Sequence, residues 1–255
     1  MARRAVVAAL VVLGLWAAPA SAARLDVLVF TKTAGFRHDS IPAGVEAIRA
    51  LGAEHGFRVR ATEDAGALTA RRLRLVEAVV FLNTTGTVLD RAQRRALRRH
   101  VRGGGGFVGV HAATDTEHDW PFYGRMLGAR FRSHPVPQTA AFVNEAPGHP
   151  ATAHLAPRFE VFDELYAFDA NPRPRARVLL AVDESTYAAT DPMGDHPMSW
   201  CRDVRRGRVF YTALGHEPAL YAQPWFRRHL LGGIRTAAGA ARADCSPRQA
   251  PATGR

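Results

Sequence analysis

The chain has 255 residues, 47% of them hydrophobic, and a formal charge of +11, enough for one α/β domain of somewhat over 200 residues with a large buried core. Lys32 is the only lysine, so the basicity is arginine; the densest run, Arg91 to Arg102, has helical spacing with Ala92, Leu97 and Val101 as its apolar side. That run has no interleaved aromatics and no nucleic-acid motif, so it reads as a solvated helix face, at most a casual contact for an anionic envelope surface, and not as a nucleic-acid module.

Taken in chain order, residues 1–22 read as a signal peptide. Met1–Arg4 is positively charged, Ala5–Ala18 is apolar, and Ala20-Ser21-Ala22 is a small-residue cleavage motif. The apolar run falls short of the about 20 residues a membrane span needs, and no later run is long enough, so no transmembrane span is expected after cleavage near Ala23. The expected destination is the periplasm or the exterior.

Leu25–Phe30 is a short apolar run with β-branched residues and predicts a buried strand, opening into the polar loop Thr31–Asp39. Ser40 is placed to cap a helix with Pro42 in its first turn, ending at Gly56. A strand follows at Phe57–Ala61, a short helix at Leu68–Leu75 and a strand at Val76–Leu82. Asp90 caps the arginine helix, which runs to Gly103-Gly104-Gly105, and Gly106–Val110 is the next strand. This alternation predicts right-handed crossovers and a parallel sheet covered by helices on both faces. Ligands bind such sheets at the carboxyl ends of the strands, which directs attention to the segments after Phe30, Leu82 and Val110.

The second half is richer in strands: Thr139–Val143, Glu160–Phe168, Arg177–Val182, Pro197–Arg202 and Arg208–Leu214 all look extended, the last two joined as a hairpin. A final helix spans about Pro224 to Ala237. Residues 239–255 are small, polar and proline-bearing, and are expected to be disordered. Export permits a disulfide between Cys201, in a strand, and Cys245, in the tail, but spacing alone does not bring them together. They also lack the paired spacing of a cysteine metal site.

The stretch Gly106-Phe-Val-Gly-Val-His-Ala-Ala-Thr-Asp115 carries the sharpest chemical signal. A strand ends in a turn surrounded by small residues, which is the architecture of a nucleophile elbow with His111 at its apex. A histidine that merely hydrogen-bonds at a strand end is the plainer reading; the elbow setting and Asp115, one helical turn on, favour a functional one. Leu214-Gly-His-Glu217 ends a later strand and offers His216 and Glu217. Arg37 suits an anion or a sugar hydroxyl; His38 and Asp39 suit metal binding or proton transfer, or Asp39 and Ser40 serve only to start the helix. Asn83 follows a strand, and Thr114 and Trp120 lie in the acidic and histidine-rich run after the elbow, to which His134 adds; Trp120 suits core packing or a sugar face.

Several motifs in order, FTKTAGFRHDSI, GVHAATDTEHDWPFYGRMLGARF, DELYAF, HPMSWCRDVRRGRVFYTALGH and PWFRRHLLGGI, resemble the ThuA-like, or trehalose-utilisation, family over Leu25 to Ile234. The resemblance implies a flavodoxin-like fold of the class I glutamine-amidotransferase type in residues 24–238: a mainly parallel central sheet, helices on both faces and extra antiparallel strands in the second half. It places His111 where the amidotransferases carry their cysteine, and His216 and Glu217 where they carry histidine and glutamate, although here the order is His-Glu-Pro. It also implies sugar catabolism, alongside dehydrogenases that make 3-keto-glycosides.

Two functions follow. One is a metal-dependent sugar hydrolase or isomerase acting on trehalose, another disaccharide or a keto-glycoside. Its catalytic set is His111, His216, Asp115, Glu164 and Glu217, its substrate contacts Arg37, His38, Asn83, Thr114 and Trp120. A divalent metal such as zinc is held by His38, His111 and His216, and Glu164 or Glu217 serves as base. The alternative is a non-catalytic sugar-binding or scaffold protein on a degenerate amidotransferase fold. Glutaminase chemistry is not expected, because the apex is no thiol and Cys201 lies in a hairpin strand.

Overall fold

The computed structural model describes residues 25–249. Residues 1–24, which include the segment 1–22 read as a signal peptide, lie outside them, as do residues 250–255. The first half alternates as β1 (Asp26–Phe30), α1 (Ile41–His55), β2 (Arg58–Thr62), α2 (Ala70–Leu73), β3 (Ala78–Leu82), α3 (Arg91–Gly103) and β4 (Gly106–Val110). β1, β3 and β4 are buried at every position, as expected of parallel strands covered on both faces. α1 stops at Gly56, whose φ of 74° suits a residue without a Cβ.

Two local expectations are corrected. Ser40 makes no cap bond; its buried hydroxyl instead donates to the Gly215 carbonyl at 2.9 Å, which also accepts from Asn83 and Tyr221, so the hydroxyl is satisfied away from water by the loop after β11 and not by its own helix. α3 does carry a capping box between Asp90 and Gln93, but its buried side is Ala96, Leu97 and Val101, and Ala92 is exposed. Ala92 opens the first turn, where the helix has not yet reached the sheet.

The second half contains α4 (Pro121–Leu127), β5 (Phe131–Ser133), β6 (Gln138–Asn144), β7 (Arg158–Asp163), β8 (Ala167–Phe168), β9 (Arg177–Val182), β10 (Pro197–Val204), β11 (Gly207–Thr212) and α5 (Pro224–Ala237). α4 was not foreseen: its seven residues are too few to show a period, and its aromatic residues read equally well as core. The large sheet has the order β2-β1-β3-β4-β11-β10-β9-β6-β7, with β5 and β8 forming a separate pair. Pairing is parallel from β2 to β11 and antiparallel from β11 to β7.

The return of β11 to the flank of β4 positions the site. Phe30 aligns with Phe81, Leu82 with Val110, and Thr212 with Val110, so β1, β3, β4 and β11 end at one edge. The run expected to be extended from Glu160 to Phe168 breaks after Asp163. The buried Asp163 carboxylate accepts the backbone N–H groups of Gly215, His216 and Glu217 at 2.7, 3.1 and 3.1 Å, which turns the chain toward the same edge.

The tail is corrected as well. Residues 239–249 have a defined path, with Cys245 buried and bonded to Cys201. Composition alone reads this stretch as disordered because it has little to bury; the covalent link to β10 supplies the anchor. No helix among the described residues is long and apolar enough to cross a membrane.

Candidate functional site

β4 delivers His111 in a left-handed conformation, φ 48°, at the start of a tight 3-10 turn through Asp115. A non-glycine residue held there is strained, and such strain is maintained where the surroundings over-determine the geometry. Here the Tyr211 hydroxyl donates to the His111 carbonyl at 2.8 Å, and the imidazole lies 4.2 Å, centroid to centroid, from the Tyr166 ring. The His111 Nδ1 sits 2.7 Å from the Ala213 carbonyl. A carbonyl only accepts, so Nδ1 carries the proton and donates, and a neutral ring directs the Nε2 lone pair into the site.

Three further groups meet that nitrogen. His38, from the loop after β1, places Nε2 at 3.2 Å. Glu164, just past the break after β7, places Oε2 at 3.3 Å from His111 Nε2 and 3.3 Å from His216 Nδ1. The ligand-type atoms of His38, His111, Glu164 and His216 all lie within 4.8 Å of one another. The other Glu164 oxygen is 2.9 Å from Nδ1 of the half-exposed His134.

The electrostatics suit cation binding. Burial, reinforced by His111 and His216, pushes His38 down to about 3, so it stays neutral near pH 7. Burial alone would raise Glu164, but the His111 and His216 imidazoles beside its carboxylate outweigh it and hold the carboxyl well below the usual carboxylate range. The Glu164 carboxylate in turn raises His216. One anion thus faces three imidazoles inside a nearly dry cluster, and the His38 Nδ1 is buried without a partner.

The other residues singled out in the sequence fall elsewhere. Asn83, also left-handed at φ 50°, donates from Nδ2 to Ser40 Oγ at 2.7 Å and to the Gly215 carbonyl at 3.2 Å, so it braces the loop that bears His216. Thr114 turns under the elbow to the Tyr211 hydroxyl at 2.9 Å. Asp115 does not reach back to the apex: the segment winds as a 3-10 turn, with three residues per turn instead of 3.6, and its carboxylate bonds His118 at 2.7 Å. Trp120 is buried against Phe122 and Tyr123 with the Arg94 guanidinium 5.7 Å above it, so it is core and not a sugar platform. Arg37 is exposed and paired with Glu63 at 2.7 Å. Glu217 stands at the rim, 4.0 Å from His216 Nε2.

Sequence reasoning passed over Asp163, although it opens the same DELYAF motif as Glu164; no motif marks an acid whose work is to bind backbone four strands away. Cys201 offers no thiol, being bonded to Cys245.

The family model described as trehalose utilisation, ThuA, matches residues 26–237. A search of curated proteins finds no significant match. Among solved structures, a ThuA-like protein from Bacteroides uniformis superposes with a TM-score of 0.74 at 23% identity, over 87% of this chain and 94% of that one. A ThuA-like protein from Parabacteroides merdae gives 0.71 at 18% identity, over 88% and 98%. A β-galactosidase from Bacillus circulans gives 0.56 at 12% identity, over 84% of this chain and 31% of that much longer one. At these identities the superpositions establish a shared fold, the glutamine-amidotransferase-like α/β arrangement, and not a shared reaction.

Proposed function

This chain belongs to the ThuA family, trehalose utilisation, and on that premise we propose that it is an exported protein of carbohydrate catabolism whose His38, His111, Glu164 and His216 hold a divalent cation beside a bound sugar. The observation that carries this reading is the donor set. Three imidazole nitrogens and a carboxylate oxygen follow one another at 3.2, 3.3 and 3.3 Å along the chain His38–His111–Glu164–His216, and the ligand-type atoms all lie within 4.8 Å of one another. A tetrahedral zinc with bonds of about 2.0–2.1 Å has ligand atoms about 3.3 Å apart. The Nδ1–H bond from His111 to a backbone carbonyl is the outer support that metal-bound histidines ordinarily have. Three imidazoles and a carboxylate also suit manganese or iron, which accept additional ligands more readily.

When bound, such an ion supplies Lewis-acid polarisation of a sugar carbonyl or hydroxyl. The protein's own residues do the rest. The Tyr166 ring packs against His111 at a tilt of 34°, and the imidazole is fully buried from water. Asp163 and Asn83 fix the loop that carries His216. Glu164, spoken for by three histidines, serves better as a ligand than as a base. Glu217, at the rim, is then the group placed to exchange a proton with a substrate.

The test is metal analysis of the purified mature protein, with calorimetric titration of zinc and manganese into the stripped form. One equivalent of metal is expected, with affinity lost in His111→Ala and Glu164→Gln while both variants stay folded. Trehalose and 3-keto-glycosides should then raise the melting temperature of the loaded wild type; a hundredfold excess over Kd adds about 2.7 kcal/mol. Wild type that binds neither metal more tightly than His111→Ala would refute the metal centre. A loaded protein indifferent to every sugar tested would refute the substrate class.

A further inference from the structure

A second cleft lies on another part of the molecule, where the tail crosses the sheet. Its volume is ≈ 580 Å³ and its walls include Arg177, Arg242, Asp244, Arg248 and His149. This is within the about 300–1,000 Å³ range of small-molecule sites. Strand register explains how it is built. Arg177 on β9 is the direct cross-strand partner of Cys201 on β10, so the two side chains stand on one face of the sheet, with Cβ atoms about 5 Å apart. The Cys201–Cys245 disulfide draws the tail onto that face, which carries Arg242 and Arg248 to Arg177.

Three guanidiniums thus line one cleft, and the carboxylates near them are already committed. Both Asp244 oxygens serve the tail itself, accepting from Ser246 N at 2.9 Å and from Arg248 Nη2 at 2.7 Å. Both Glu145 oxygens accept from Arg173, at 2.6 and 2.9 Å, and only the Glu145 backbone carbonyl lies near Arg177, at a weak 3.4 Å. Among the described residues no carboxylate is within ion-pair reach of Arg177 or Arg242. Arg177 is accordingly pushed below its ordinary value, by burial first and then by Arg248. His149 at the floor is buried, and burial followed by Arg177 and Arg208 lowers it to about 4, so it adds no charge near neutral pH.

We propose that this cleft is a binding site for an oxyanion of the phosphate class, free or carried on a small organic molecule, and that the Cys201–Cys245 disulfide assembles it. Planar guanidiniums bind tetrahedral oxyanions through paired N–H groups, and such charge-assisted bonds are stronger than neutral ones. An oxyanion here relieves the repulsion between Arg177 and Arg248 and supplies the missing counter-charge. The site shares no residue with the histidine cluster, so it stands or falls independently of the metal reading.

The experiment titrates the oxidised mature protein with inorganic phosphate and with glucose 6-phosphate, by calorimetry and by thermal shift. Sodium chloride at equal ionic strength is the control. Phosphate is expected to bind one equivalent and to raise the melting temperature where chloride does not. Arg177→Gln and Arg242→Gln should each weaken it at least tenfold, and Cys245→Ser should do the same by releasing the tail. Tighter binding of glucose 6-phosphate marks a carried phosphoryl group as the ligand; equal binding marks the free anion. Arg242 is exposed on the tail, so Arg242→Gln remains informative even where Cys245→Ser folds poorly. Phosphate that does no better than chloride, or that binds Arg177→Gln as tightly as wild type, overturns the proposal.

Discussion

At the scale of single residues, the histidines divide by surroundings. His149 and His229 are buried away from the candidate metal cluster, and burial pushes them down to about 4 and about 3. His229 donates from Nδ1 to the Ala151 carbonyl at 2.9 Å, so it is held as a neutral donor. In the unfolded chain each takes a proton below about pH 6.5. Above that pH neither contributes to the pH dependence. As the pH falls from about 6.5 toward 4 for His149, and toward 3 for His229, the unfolded state binds protons that the folded state refuses, and stability drops by up to about 1.4 kcal/mol per pH unit for each. His216, raised by Glu164, works the other way, since its proton favours the folded state below its folded value and that gain disappears as the pH rises through it. His38, His100 and His154 are lowered by burial as well, so with five lowered histidines against the raised His216, metal-free protein should unfold at a lower urea midpoint at pH 5 than at pH 7.5. His149→Gln should flatten the dependence. A midpoint that stays constant or rises on acidification contradicts these assignments.

At the scale of elements, the decisive contact is the one between the end of β7 and the loop after β11. Asp163 is buried, which raises its carboxyl, yet three backbone N–H groups of residues 215–217 converge on it. That loop also turns through Gly215 at φ 125°, where a Cβ would come within 2.6 Å of the Tyr221 hydroxyl. Asp163→Ala removes the acceptor and leaves buried donors unpaired, at a cost of about 1–3 kcal/mol for each that water does not reach. The variant should melt earlier, show faster amide exchange at residues 214–217, and lose metal affinity because His216 is no longer held. Unchanged exchange in that loop would show that Asp163 does not position it.

At the scale of the whole molecule, the disulfide joins the tail to the middle of the large sheet across a separation of 44 residues. Closing a loop of that length removes unfolded-state entropy worth about 4 kcal/mol in the chain-entropy model, and measured values are commonly about 2–4. Replacing both cysteines by serine should lower urea stability by about that amount. The histidine cluster lies at the strand ends and touches neither cysteine, so metal binding per folded molecule should persist; calorimetry on the double variant separates the two effects. A bond of this kind survives in oxidising compartments, in keeping with the export we propose.

The sequence by itself determined the local elements. Continuous apolar runs at Asp26–Phe30, Ala78–Leu82 and Gly106–Val110 have only one stable place, inside a sheet covered on both faces. Small residues around His111 demanded a sharp turn at a strand end, and the order of motifs pointed to the family. Tertiary structure decided what those elements bring together. Residues 38, 111, 164 and 216 meet because β11 returns beside β4 and the chain breaks after Asp163, and both depend on pairings between segments far apart in the chain. The same long-range packing sent Asp115 to His118 and Trp120 into the core, and brought Cys245 to Cys201. Periodicity reports which side of an element is buried and is silent about its neighbour, so a site assembled from four separate loops becomes visible only once the strand order is known.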